Sequence, residues 1–206
     1  MKIHLGNDEH VAFVGMTGTG KTVLAKHMLA RLNRVVVLDT KNTFQLEGFE
    51  RRKNLPLMGK RFQIIYRPPL FPNSDDDYKL ARFLMDMVRV KHVTIYCDEL
   101  SSLKEFFPLS TRVLANLARV GRELHVSIWI ALQRPRWVPL WFFTEANTVF
   151  MFGLKAAKDR DYMAESIGEE VTDEIEEHTF WWSHVKVKNP VLMRLNLSKN
   201  YIEKIG

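Results

Sequence analysis

The sequence predicts a three-layer α/β fold built on a mostly parallel sheet with helices on both faces. Three observations point there. Short apolar, β-branched runs alternate with stretches of helical periodicity, the pattern of strands joined by crossover helices. One such run, His10-Val11-Ala12-Phe13-Val14, leads directly into the glycine-rich octapeptide Gly15-Met16-Thr17-Gly18-Thr19-Gly20-Lys21-Thr22. Another, Val93-Thr94-Ile95-Tyr96-Cys97, ends in the paired acids Asp98-Glu99. Strands are expected at residues 10–14, 34–39, 61–66, 93–98, 126–132 and 147–152.

The octapeptide is a full match to G-x-x-x-x-G-K-[ST], and its position between a strand and a helix is where that pattern binds phosphate. Its glycines let the backbone wrap phosphate oxygens, and its N–H groups and the helix N-terminus supply positive field. Lys21 would reach the β and γ phosphates and the Thr22 hydroxyl would ligate Mg²⁺, so ATP and Mg²⁺ are the expected ligands of residues Gly15 to Thr22. The helix that follows should bury Leu24, Met28 and Leu32.

A helix near residues 75–90 opens at Ser74-Asp75-Asp76-Asp77, with Ser74 as cap and Asp77 at the capping-box position, and it should bury Leu80, Leu84 and Met87. The acidic run therefore reads as a helix start rather than a metal site. At the end of the next strand, Asp98 would hold the Mg²⁺ shell and Glu99 would orient and deprotonate the attacking water. Alone, that strand end could be an exposed acidic turn; together with the phosphate loop it reads as catalytic. A glutamate next to the aspartate also selects the branch of these folds in which a further strand lies between the phosphate-loop strand and the acid strand. No Asn-Lys-x-Asp guanine motif occurs.

A helix at about 110–120 should place Val113, Leu117 and Val120 on one stripe and stop at Gly121. The strand after it ends in Gln133-Arg134-Pro135, where Gln133 could hydrogen-bond the γ-phosphate or the water. Arg119 and Arg122 precede that strand at the sheet edge away from their own phosphate site. They either cap helix carbonyls near Gly121 or reach the ATP of a neighbouring subunit in a ring. Beyond residue 153 the texture changes. A polar helical stretch over 156–178 leads to Thr179–Val185 and Val191–Leu197, a C-terminal pair of strands. Trp181 and Trp182 would point to opposite faces, leaving one of them exposed for a partner unless both join the core.

With 206 residues, 46% of them hydrophobic, the expectation is one domain over 1–206, its motifs in about 8–153 and an extension over 154–206. No run of eighteen apolar residues occurs, and Met1 to Asp8 lacks the apolar centre of a secretion signal, so neither membrane insertion nor secretion is expected. The single cysteine, Cys97, excludes an internal disulfide, and the seven histidines show no metal-ligand spacing along the chain. A net charge of +6 and a pI near 9.4 suit a polyanionic partner. Arg51-Arg52-Lys53, Lys60-Arg61, Arg134 and Arg136 are candidates for phosphate contact, the first two groups in a loop region suited to a pore loop.

The succession of Gly15 to Thr22, Val37-Leu38-Asp39-Thr40-Lys41, the strand ending in Asp98-Glu99, Arg119-Val120-Gly121-Arg122 and Ala131-Leu132-Gln133-Arg134-Pro135 resembles the FtsK-HerA superfamily of DNA-pumping ATPases. The resemblance covers roughly residues 8–153. Within the superfamily the chain is similar to the genome-packaging ATPases of membrane-containing icosahedral viruses, the archaeal turreted type in particular. That resemblance implies a ring of identical subunits with ATP between neighbours, driving double-stranded DNA into a preformed capsid, with a capsid or internal-membrane protein as a further partner. The setting it implies is the host cytoplasm, with association to the virion. It assigns Lys21 and Thr22 to phosphate and metal, Asp98 and Glu99 to metal and water, Gln133 to sensing, and Arg119 or Arg122 to the trans position. Asp39 and Lys41 match a superfamily strand end without a firm role. Two rivals stand beside this reading: a cellular or plasmid DNA pump or helicase, and a nucleotide-gated ATPase that remodels a protein and does not bind DNA.

Overall fold

The computed structural model describes residues 3, 5, 8–55, 61–121, 123–196 and 201–205; Lys60, Arg122 and Leu197, named above, lie outside them. The strands are β1 (Val11–Val14), β2 (Arg34–Leu38), β3 (Glu50–Arg52), β4 (Phe62–Tyr66), β5 (Val93–Cys97), β6 (Val126–Leu132), β7 (Thr148–Phe152), β8 (Thr179–His184), β9 (Val191–Asn196) and β10 (Tyr201–Lys204). They form one sheet in the order β10-β9-β8-β7-β1-β6-β5-β2-β4-β3. From β7 through β3 neighbours pair in parallel, while β8, β9 and β10 add antiparallel strands at one end. The expected strand insertion is present: β6 lies between β1 and β5.

The helices among the described residues are α1 (Lys21–Leu29), α2 (Ser74–Val90), α3 (Leu100–Phe106), α4 (Pro108–Val120), α5 (Trp141–Glu145) and α6 (Ala157–Ile167). Alternation along the strands sends side chains to two separate cores. Ala12, Val14, Ile128 and Ile130 face one cluster, roofed by residues of α2 through α6. Val11, Phe13, Trp129 and Ala131 face the other, which α1 covers together with Phe44, Phe49 and the C-terminal strands. Phe13 anchors that second core, stacked on Phe150 at 5.1 Å and edge-on to Tyr96 at 6.1 Å. Because the central strands are buried on both faces, they read as unbroken apolar runs, which is why all six expected strands are found.

Elsewhere the structure departs from expectation. The cap of α2 is Asn73, whose side chain accepts from the N–H groups of Asp75 and Asp76 while Asp76 reaches back to the Asn73 N–H. The capping box thus sits one residue earlier than Ser74 and Asp77 would place it, since asparagine is as good a cap as serine. Asp77 is buried and serves another helix. It accepts from the N–H groups of Leu109 and Ser110 and from the Ser110 hydroxyl at 2.6 Å, capping the start of α4. This anchor sets the phase of α4: Ser110, Leu114, Leu117 and Ala118 are buried, whereas Val113 is half-buried and Val120 exposed. Gly121 does end α4, but with φ −63° and not in a left-handed turn; an added Cβ would lie 2.3 Å from the Leu117 carbonyl oxygen and 2.5 Å from that of Val126.

Residues Glu50 to Arg52 are not loop but the edge strand β3, exposed and fully charged, which hid it from any apolar pattern. The C-terminal addition holds three strands rather than two, β10 pairing with β9. Trp181 and Trp182 do take opposite faces, and each packs half-buried against a different core, so neither is left exposed. Among the described residues no helix is long and apolar enough to cross a membrane.

Candidate active site

Parallel pairing brings the C-terminal ends of β1, β6, β5 and β2 to one edge of the sheet, where the strand order allows loops to meet. Each of those four strands delivers a motif there. After β1 the octapeptide curls around the Met16 carbonyl, which accepts from the Thr19 hydroxyl at 2.8 Å and from Lys21 Nζ at 2.6 Å. The loop is pinned to its neighbours by Gly15 N–H donating to the Leu132 carbonyl and Met16 N–H to that of Gly153, both at 3.1 Å. Gly15 permits this: its φ is +148°, and a Cβ there would stand 2.6 Å from the Cβ of Phe152. Gly18 and Gly20 also take positive φ, leaving α1 to start without a side-chain cap at its N-terminus. An uncapped helix start under a glycine-rich turn is a ready anion site.

Lys21 is largely buried, and that burial lowers its pKa to about 8 against the opposing pull of Glu99 and Asp98. Thr22 Oγ1 stands 3.5 Å from Asp98 Oδ1. A hydroxyl and a carboxylate side by side are the hard oxygen donors that Mg²⁺ takes, so the residues present fit that ion. Burial raises the Asp98 pKa, while a 2.8 Å hydrogen bond from the Tyr96 hydroxyl works the other way.

Glu99 is 5% exposed and held at both oxygens. Oε1 accepts from the Ser101 hydroxyl at 2.6 Å, and Oε2 accepts from Gln133 Nε2 at 2.8 Å and from Lys41 Nζ at 3.1 Å. The structure therefore brings together Lys21, Thr22, Asp98, Glu99 and Gln133 as expected, with Gln133 touching the glutamate itself. Lys41, which the sequence left without a role, is the cation on that glutamate. Asp39, directly after β2, is fully buried. It accepts from the Thr43 and Phe44 N–H groups and from Arg67 Nε at 2.9 Å, shaping the loop that carries Lys41.

Three of these partners were not singled out by sequence. Tyr96 had a signal, because residues two apart on a strand share a face and Tyr96 therefore had to lie beside Asp98. Ser101 lies two residues past Glu99 in the first turn of α3. Arg67 follows β4 and had no local signal at all.

Arg119 is not in this cluster. It sits exposed in the last turn of α4, the end that leads into the start of β6, with its guanidinium 4.3 Å from the Trp141 ring centroid. That is the sheet edge away from the phosphate loop, as the topology required. A groove of about 470 Å³ opens beside the site, lined by Met16, Thr17, Gln133, Arg134, Lys155 and Asp159 among others.

No curated protein sequence is similar enough to count as a relative. The family model described as Helicase HerA, central domain, matches residues 2–187. Among solved structures, the chain is similar to the genome packaging NTPase B204 of Sulfolobus turreted icosahedral virus 2 in complex with sulfate. The TM-score is 0.70 at 16% identity, over 91% of this chain and 96% of that one. It is also similar to EssC (ATPases 2 and 3) of Geobacillus thermodenitrificans, with TM-score 0.61 at 14% identity over 90% of this chain and 39% of that one. The cytoplasmic domain of the Thermomonospora curvata type VII secretion ATPase EccC gives TM-score 0.59 at 17% identity, over 92% and 25%. At these identities the likeness is one of fold. With the phosphate loop, the acid pair and the inserted strand in place, the chain belongs to the HerA helicase central-domain family, within the FtsK-HerA superfamily of P-loop ATPases, and is an ATP hydrolase.

Proposed function

We propose that this protein is a Mg²⁺-dependent ATPase motor that translocates double-stranded DNA and packages a viral genome into a preformed capsid. The observation that carries the reading is the cluster at the tips of β1, β6 and β5, where Lys21, Thr22, Asp98, Glu99 and Gln133 meet. Packaging is supported by the likeness to B204, described as a genome packaging NTPase, and by the net charge of +6. In this reading subunits form a ring, ATP lies between neighbours, and a capsid or internal-membrane protein docks the ring. The setting is the host cytoplasm and the virion.

Lys21 and the loop N–H groups bind the β and γ phosphates. Thr22 and Asp98 would hold Mg²⁺, which when bound neutralises charge shared between β and γ oxygens. Glu99 takes the proton of a water that attacks the γ-phosphorus as the bond to the ADP oxygen breaks. Among the described residues Glu99 Oε1 has only the Ser101 hydroxyl as partner, which leaves it a lone pair for that water. Gln133 is the partner able to move to the γ-phosphate, since it stands at the tip of the inserted strand. Arg119 or Arg122 of a neighbouring subunit then offsets charge on the transferring group, a contribution of about 10³ to 10⁵ in rate where such residues act.

A second reading, an ATPase that acts on a protein partner, is favoured by the likeness to the type VII secretion ATPase EccC. Displacement of a third-strand oligonucleotide from linear duplex separates the two. The motor predicts ATP-dependent displacement that Glu99→Gln abolishes. Absence of duplex binding even at low salt would favour the second reading.

A further inference from the structure

The strand register assembles a second group of ligating side chains at the opposite edge of the sheet. Val93 and Val126 are partners in the β5–β6 ladder, so His92 and His125, each one residue before its strand, are placed side by side. The Val93 N–H also donates to the His125 carbonyl. Asp8 arrives on the segment that leads into β1, next to β6 in the sheet. His125 Nδ1 lies 3.3 Å and His92 Nδ1 3.9 Å from the same Asp8 oxygen, and the two imidazoles stack at 4.5 Å. Among the described residues, this is the group of histidine and carboxylate side chains whose ligand atoms all fall within 4.8 Å of one another.

We propose that Asp8, His92 and His125 bind one borderline divalent transition-metal ion, of the Zn²⁺ or Ni²⁺ kind. Tetrahedral bonds of about 2.0–2.2 Å to nitrogen and carboxylate oxygen put ligand atoms roughly 3.3–3.6 Å apart, so the His125–Asp8 separation already suits an ion, the His92–Asp8 one must close slightly, and the stacked rings must tilt apart to aim both nitrogens at it. Two imidazoles and a carboxylate select zinc, nickel or copper over Mg²⁺ or Ca²⁺, which take oxygen. His92 has φ +48° and His125 φ +57°, left-handed turn positions of a kind that histidine and asparagine both adopt. All three side chains are about half exposed, at 58%, 58% and 44%, so an ion can enter and keep water in its remaining position. Bound there, the ion ties the segment before β1 to the turns before β5 and β6.

The test is calorimetric titration of ZnCl₂ into the full chain, free of any histidine tag, in excess Mg²⁺. One ion should bind with micromolar affinity. His92→Asn, His125→Asn and Asp8→Asn should each weaken binding by at least the roughly 10–100-fold that loss of supporting residues costs metal sites. Asparagine tolerates the left-handed backbone, so the folds should survive. Their ATPase rates should equal that of the unaltered chain, since none of the three residues belongs to the phosphate site. Absence of saturable binding into the millimolar range would overturn the proposal. So would undiminished binding in the His92→Asn/His125→Asn double variant.

Discussion

Glu99 carries three donors on two oxygens, and its neighbours set how readily it can accept a proton from water. Glu99→Gln is expected to keep ATP affinity while turnover falls about 10² to 10⁴-fold, the range general-base removal produces; equilibrium binding of labelled ATP beside steady-state hydrolysis checks it. Retained hydrolysis would reject the role. Lys41→Met removes the cation at 3.1 Å and leaves the glutamate without its charged partner. Its expected signature is a fall of about tenfold in single-turnover rate with little change in ATP affinity, because the carboxylate loses one of the contacts that aim it at the water. Much of this cluster was legible, because Lys21, Thr22, Asp98, Glu99 and Gln133 each sit in a contiguous motif or at a strand end. Lys41 could be placed at a strand end but not given a function, since its contact with Glu99 spans 58 positions in the chain. Arg67 was beyond reach for the same reason: nothing near it encodes the buried Asp39 it serves.

At the scale of elements, central strands were visible because burial on both faces leaves an unbroken apolar signature. Edges and short helices were not. β3 is three charged residues held by pairing with β4, and α3 and α5 have too few turns to show a period. The helix α4 shows how a single polar contact overrides periodicity. Its apolar residues permitted more than one buried stripe, and the hydrogen bonds of Asp77 to its first turn selected the one through Ser110, Leu114 and Leu117. Asp77→Ala should therefore destabilise the fold by about 2–3 kcal/mol, through a lost cap and orphaned donors. Urea unfolding measures it. An unchanged midpoint would mean the first turn of α4 is held by packing alone.

Across the whole molecule, the two edges of the sheet carry different chemistry. The strand-end edge holds Lys21, Thr22, Asp98 and Glu99, the residues proposed to meet phosphate, metal and water; the strand-start edge holds Arg119, stacked on Trp141, and the Asp8, His92 and His125 group. An arginine on the far edge cannot serve its own ATP, which is why the proposal gives it a role toward a neighbouring subunit. Arg119→Ala should bind ATP and lose hydrolysis, and mixing it with Lys21→Ala subunits should restore part of the activity through mixed interfaces. No recovery at any mixing ratio would count against the assignment. The histidine group shows a limit of reading along the chain: its members lie on three separate turns, and only the register of β5 on β6 makes them neighbours.

In a DNA motor the ATP site is coupled to duplex DNA. Steady-state hydrolysis with and without linear double-stranded DNA, with Lys21→Ala as the blank, tests that coupling directly. A DNA motor predicts hydrolysis that rises on adding duplex, with the stimulation falling steeply as salt is raised. Hydrolysis abolished by Lys21→Ala but indifferent to duplex at every salt concentration would contradict it.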